Sequence, residues 1–196
     1  MTQLIAVIAD THLPSLVRTP DALGPGLSDL LSRVDLILHA GDVIAPSVLA
    51  WCRTFAPIRV ARGNNDLFDD PDLAQHHVFE LHGWRFGLTH EVRPESRPVA
   101  ELLNDGLGGT QVDVLIAGDT HVQRLEFRDG VVVLNPGSPT LPHHKELRLG
   151  TAALIHVTPD RLQFEIVVLG QTPERPNPGT TSALTVTRRD GRTQAI

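Results

Sequence analysis

Two identical triplets, Asp10-Thr11-His12 and Asp119-Thr120-His121, place a carboxylate and an imidazole two residues apart directly after short apolar runs. Asp42, Asn64 and His90 follow apolar runs in the same way. Carboxylate, amide and imidazole are a donor set for hard or borderline divalent cations. Seven such side chains exceed what one tetrahedral ion needs. They suit two cations that share a bridging carboxylate. Nucleophilic catalysis has no comparable signal, because neither a G-x-S-x-G elbow nor a phosphate-binding P-loop occurs.

The runs that carry these residues read as buried strands. LIAVIA (4–9), DLILH (35–39), IRVA (58–61), WRFGL (84–88) and VDVLIA (112–117) each end where the polar residues begin. In sheets with parallel strands, ligands gather at the carboxyl ends. Side chains at i and i+2 of an extended chain point the same way, so each triplet is expected to stay extended and aim both groups into one space. Glycines before Asp42, Asn64 and Asp119 are expected to supply sharp turns. Helices are expected over 27–33, 48–55 and 97–104.

Strand and helix alternate up to about residue 65, and hairpin signals then take over. His82-Gly83, Asp129-Gly130 and Thr158-Pro159-Asp160 mark turns between short apolar runs. The pattern fits an α/β chain in which two packed mixed sheets form a sandwich flanked by helices. A single domain is expected over 1–169. Residues 170–196 turn rich in Pro, Thr, Arg and Gly, and read as a flexible tail or crossing arm.

The net charge of -6 disfavours a broad nucleic-acid-binding surface. The one cysteine, Cys52, excludes an internal disulfide and reads as an inert thiol in a helix. The chain has no run of eighteen apolar residues and no basic leader before its first strand, so a cytoplasmic protein without a membrane span is expected.

The order DTH…GD…GNND…TH…GDTH resembles the calcineurin-like metallophosphoesterases, and most of all their compact phosphodiesterase branch in bacteria and archaea. The resemblance covers residues 4 to about 168. It implies the four-layer sandwich of that family, two divalent cations, and cleavage of a small phosphoester by a metal-bound hydroxide. It also implies that Asp10, His12 and His121 hold one cation, that Asn64 and His90 hold the other, and that Asp42 bridges. His39, Asn65, Asn135 and Ser138 would support these ligands or contact phosphate, with the NPGS turn (135–138) offering backbone N–H groups. His143-His144, just after that turn, read as loop residues.

Asp119 departs from the family pattern, since a histidine ligand usually stands there. An added carboxylate lowers the positive charge of the site and favours manganese or magnesium over zinc; manganese is expected, with magnesium, iron, nickel and zinc as alternatives. It should also favour monoanionic diesters over dianionic monoesters. Asn65 stands where many larger members carry a histidine, which implies a preference for acidic leaving groups. The same departures admit a second reading, a weakly catalytic binding scaffold of this fold similar to a retromer coat subunit. Compact relatives often self-associate, which the tail could assist.

Overall fold

The computed structural model describes residues 2–15, 17–144, 146–189 and 192–196. Three strands, β1 (Gln3–Ile8), β2 (Leu36–His39) and β3 (Ile58–Ala61), run parallel. A short β4 (Leu73–Ala74), too brief to read from sequence, pairs parallel with β3. The helices α1 (Gly26–Leu31) and α2 (Pro46–Arg53) connect the first three strands, and α2 begins on a proline whose missing N–H costs nothing at that position. On the other side of β1, β10 (Thr151–Val157) and β11 (Arg161–Val168) extend this sheet in antiparallel fashion.

The second sheet contains β5 (His77–Leu81), β6 (Trp84–Leu88), β7 (Val114–Ile116), β8 (Arg124–Arg128) and β9 (Val131–Asn135), in the order β5-β6-β7-β9-β8. Here β6, β7 and β9 are parallel, whereas β5 and β8 join them through two-residue hairpins. His82 and Gly83 have φ of 52° and 81°, and Asp129 and Gly130 have 51° and 82°. Both pairs fit turns that need positive φ at two central positions. Helix α3 (Val99–Leu107) covers the outer face of this sheet.

Strand alternation distributes the core among four layers. Ile5 and Val7 of β1 face Trp84, Phe86, Val114 and Ile116 across the sandwich, while Ala6 and Ile8 pack beneath α1 and α2. On β7 the odd residue out, Leu115, packs under Leu102, Leu103 and Leu107 of α3. Strands β1, β2 and β3 of one sheet and β6, β7 and β9 of the other therefore end at one edge of the sandwich, and their polar residues meet there. Cys52 is buried inside α2, where burial pushes its thiol up to about 12. Among the described residues no helix is long and apolar enough to cross a membrane.

The segment read as a flexible tail needs correction. Ser182–Arg189 forms β12, antiparallel to β11, and Arg192–Ala195 forms β13 beside it. Within the compositional bias lies a period-two pattern: Leu184 and Val186 face the sandwich core, and Arg188 lies over the Trp84 ring at 4.3 Å. Arg188 also donates to Asp113 at 3.0 Å, tying this hairpin to the second sheet. Val186 is fully buried. Val186→Ala removes two buried methyl groups and should lower stability by about 2 kcal/mol in urea unfolding, at roughly 0.8 kcal/mol per group plus a cavity term. A mobile tail would give no change.

Candidate metal centre

The strand ends are stitched to one another through backbone and side chain. Asp10 N–H donates to the Gly41 carbonyl at 2.9 Å, and Gly118 N–H donates to the His90 carbonyl at 2.8 Å. Ser138 Oγ donates to the Asp10 carbonyl at 2.7 Å, and Thr140 Oγ1 to the Thr11 carbonyl at 2.6 Å. Five chain segments are thus tied in place before any functional group is considered.

The two triplets are not extended, contrary to the reading from sequence. Asp10 and His12 have φ of 53° and 47°, and Asp119 and His121 have 70° and 56°. Asp42 joins them at 57°. A left-handed residue with a side chain costs about 1–2 kcal/mol. Such a cluster persists only where its surroundings fix it. The glycines also act differently from expectation. A Cβ on Gly63 would lie 2.2 Å from Asp42 Oδ1, and one on Gly118 would lie 3.0 Å from Asp10 Oδ2. Their bareness lets backbone approach a carboxylate. Of these three glycines, only Gly41 combines close approach with a positive φ, 91°.

Two compact groups of donor atoms result, Asp10–His12–His121 and Asp10–Asp42–His90. His12 Nε2 and His121 Nε2 lie 3.1 Å apart. Asp42 spans the two groups, with Oδ2 at 3.4 Å from His12 Nε2 and Oδ1 at 3.5 Å from His90 Nε2. Asp10 is sealed from solvent, and burial together with the neighbouring Asp42 holds its carboxyl well above the usual range. Burial pushes His121 down to about 4 and lowers His12 as well.

The tautomers decide what these atoms offer. His121 Nδ1 donates to the Leu141 carbonyl at 2.8 Å, and His90 Nδ1 to the Ala40 carbonyl at 2.7 Å. In the neutral rings both Nε2 atoms are left as bare lone pairs. His90 Nε2 then faces Asn64 Oδ1 at 3.1 Å, Asp42 Oδ1 at 3.5 Å and Asp119 Oδ1 at 3.8 Å. Acceptors facing acceptors in a buried site are repulsive unless a cation lies among them. The donor set therefore fits divalent metal.

The supporting residues each lock a ligand. Asn65 donates to Asp42 through Nδ2 at 2.6 Å and through its backbone N–H at 3.0 Å. His39 is fully buried. It accepts from Gly41 N–H at 3.2 Å and holds Thr11 Oγ1 at 3.2 Å, with burial pushing its pKa to about 3. Asn135 Nδ2 donates to the Gly118 carbonyl and to Glu95 Oε1, at 2.9 and 2.7 Å. Within the NPGS turn, expected to offer N–H groups to phosphate, Gly137 N–H is already taken by Asn135 Oδ1, and just beyond it the N–H groups of Thr140 and Leu141 are taken by Ser138 Oγ.

Asp66 is the residue that sequence reasoning passed over, although it closes the GNND block. Its carboxylate accepts four backbone N–H groups, from Asp42, Val43, Ile44 and Gly63, at 2.8–3.0 Å. It thereby folds the loop that presents Asp42. His144, taken for a loop residue, stacks on His121 with ring centroids 3.8 Å apart. Only its nearness to the NPGS turn hinted at that.

Asp119 sits differently from the rest. Its backbone N–H donates to both oxygens of Asp10, at 3.1 and 3.0 Å, but its carboxylate lies outside both compact groups. Its Oδ2 is buried against Arg93 Nε, at an angle that makes no hydrogen bond.

The comparisons agree with this geometry. A family model described as the calcineurin-like phosphoesterase superfamily domain matches residues 4–160. The chain belongs to that superfamily. A probable metallophosphoesterase of Methanothermobacter thermautotrophicus is 36% identical over 169 residues, covering 85% of this chain and 93% of the relative. One from Methanocaldococcus jannaschii is 36% identical over 145 residues, covering 72% and 70%. In fold, the chain is similar to Vps29 of Chaetomium thermophilum, with a TM-score of 0.77 at 20% identity, covering 95% of this chain and 98% of that one. It is also similar to Vps29 of Entamoeba histolytica complexed with zinc, with a TM-score of 0.70 at 24% identity, covering 94% and 98%.

Asp66→Ala should strand four buried N–H groups and cost at least about 3 kcal/mol in chemical unfolding. Asn65→Ala, which removes one donor from the buried Asp42 carboxylate and keeps the backbone one, should cost less, about 1 kcal/mol.

Proposed function

We propose that this metallophosphoesterase hydrolyses phosphodiester bonds at two divalent cations. The observation that carries the reading is the bare His90 Nε2 ringed by oxygen acceptors, a few ångströms from the paired Nε2 atoms of His12 and His121. Asp10, His12 and His121 would hold one cation, and Asn64, His90 and Asp119 the other. Asp42, with one oxygen toward each group, would bridge. Manganese or magnesium suits a set this rich in oxygen better than iron, nickel or zinc. Bound there, the cations would supply Lewis acidity at the phosphoryl oxygens and an acidified water as nucleophile.

The chain's own residues do the rest. The Leu141 and Ala40 carbonyls keep His121 and His90 in the tautomer that presents Nε2 inward. Asn65 fixes the plane of Asp42. Burial of Asp10 keeps solvent from competing for its carboxylate. Asp119 adds a third carboxylate, while Arg93 and Glu91, 3.5 Å apart, cancel each other beside it. A site of low net positive charge supports monoanionic diesters over dianionic monoesters, and the substrate would be a small molecule.

Purified protein loaded with manganese should cleave bis(p-nitrophenyl) phosphate faster than p-nitrophenyl phosphate. Asp42→Ala should lose at least about a hundredfold of that activity. An inactive wild type that still takes up metal would instead favour a binding scaffold of this fold, the reading to which Asp119 lends weight.

Arg93 competes with metal for Asp119. A half-exposed ion pair is worth about 1 kcal/mol. Arg93→Ala should therefore tighten the weaker of the two metal-binding constants about fivefold in calorimetric titration. The stronger constant should not move, because Asp10, His12 and His121 do not touch Arg93.

A further inference from the structure

Beside the Asn64–His90 side of the centre lies an open cleft of about 650 Å³, within the range of small-molecule sites. One wall is the loop Arg62–Leu67, and the other is the C-terminal half of α3 with Asn104 and Asp105. Its chemistry is selective in what it lacks. Arg62, the one arginine in the lining, is already spent: it donates to the carbonyls of Asp66 and Phe68, at 2.9 and 2.8 Å, and to Asp69 at 2.8 Å. Glu91 is paired with Arg93 and Asp105 with Arg97, at 3.5 and 2.6 Å, while Asn104 and Gln75 offer neutral donors and acceptors. A further phosphate or carboxylate would find no free arginine or lysine among the described residues of the lining.

Leu67 supplies the second clue. It lines the cleft yet is 93% exposed, the most exposed large apolar side chain among the described residues. A leucine presented this way, on a loop anchored by Asp66 at the metal centre, offers an apolar platform to a ring. We propose that the cleft seats an uncharged, hydrogen-bonding, ring-bearing arm of the diester, of the nucleoside class, with the ring against Leu67 and its polar edge toward Asn104 and Gln75. The assignment rests on the phosphodiesterase reading above, and it excludes substrates that carry a second phosphate on that arm.

The test compares diesters that share one leaving group, p-nitrophenolate, and differ only in the other arm. With wild type and manganese, the thymidine 5′-(p-nitrophenyl phosphate) diester should show kcat/KM at least tenfold above methyl p-nitrophenyl phosphate. A 3′-phosphate on the thymidine should erase that advantage. Leu67→Ala should lower kcat/KM for the thymidine substrate three- to tenfold and leave the methyl substrate unchanged, with Leu67→Phe restoring it. Equal rates for the thymidine and methyl substrates, or a Leu67→Ala loss shared by both, overturn the cleft assignment and leave the hydrolase reading standing. Calorimetric binding of an uncleavable thymidine 5′-methylphosphonate ester in magnesium reads the cleft without turnover. Binding that Leu67→Ala weakens, in a protein that cleaves nothing, sustains the cleft and overturns the hydrolase; absence of binding overturns the cleft.

Discussion

Everything at this centre depends on holding lone pairs against lone pairs. Asp10, Asp42, His12, His90 and His121 bring pairs of acceptor atoms to within 3.1–3.7 Å, largely out of water. Left alone, such groups would rotate apart or recruit solvent. The surrounding structure denies them both. Each imidazole whose tautomer is settled is pinned by a main-chain carbonyl, and Asp42 is pinned by Asn65. Asp10 is pinned by the N–H of the opposite triplet. The repulsion is the energy a cation recovers on binding, and the rigidity decides that it is recovered at a fixed place.

The fold supplies that rigidity through its topology. Strands β1, β2 and β3 of one sheet and β6, β7 and β9 of the other end on the same edge of the sandwich, so the six loops that follow them converge there. Convergence alone would not orient side chains. The left-handed residues at both triplets and at Asp42 do so, and they are tolerated because hydrogen bonds between loops offset their cost. Asp66 is the strongest of these restraints. A single buried carboxylate satisfies four N–H groups of two loops, which makes the Asp42 turn a rigid body.

Much of this was legible in the sequence because burial leaves a pattern. Apolar runs ended by glycine and acid marked the strand ends, and the ordered polar blocks marked which ends meet. The hairpin turns were equally plain, since His82-Gly83 and Asp129-Gly130 require particular residue types. What stayed hidden had no local signature. The backbone of a triplet looks the same in one-letter code whether extended or left-handed. Asp66 resembles any turn aspartate until its donors arrive from residues 42–44, far away in sequence. β12 was masked by its Pro- and Thr-rich neighbourhood, although the alternation of Leu184, Val186 and Arg188 was present. His144 reaches His121 only because the loop after Ser138 folds back, which its sequence does not signal.

The two triplets start as repeats and end as opposites. Both adopt the same left-handed backbone, and both imidazoles reach one group of donors. Their carboxylates part company. Asp10 is buried to the last atom and belongs to both groups, whereas Asp119 turns one oxygen toward His90 and the other toward a half-exposed arginine. A histidine in that place would have no charge to share with Arg93. On the two-cation reading, Asp119 would therefore do more than offer oxygen where a nitrogen ligand usually stands: Arg93, a cation of the chain, would compete for it with a cation from solution. The first group has no such competitor, since no arginine or lysine pairs with Asp10 among the described residues. The asymmetry between the halves of the centre follows from one carboxylate having two suitors and the other none.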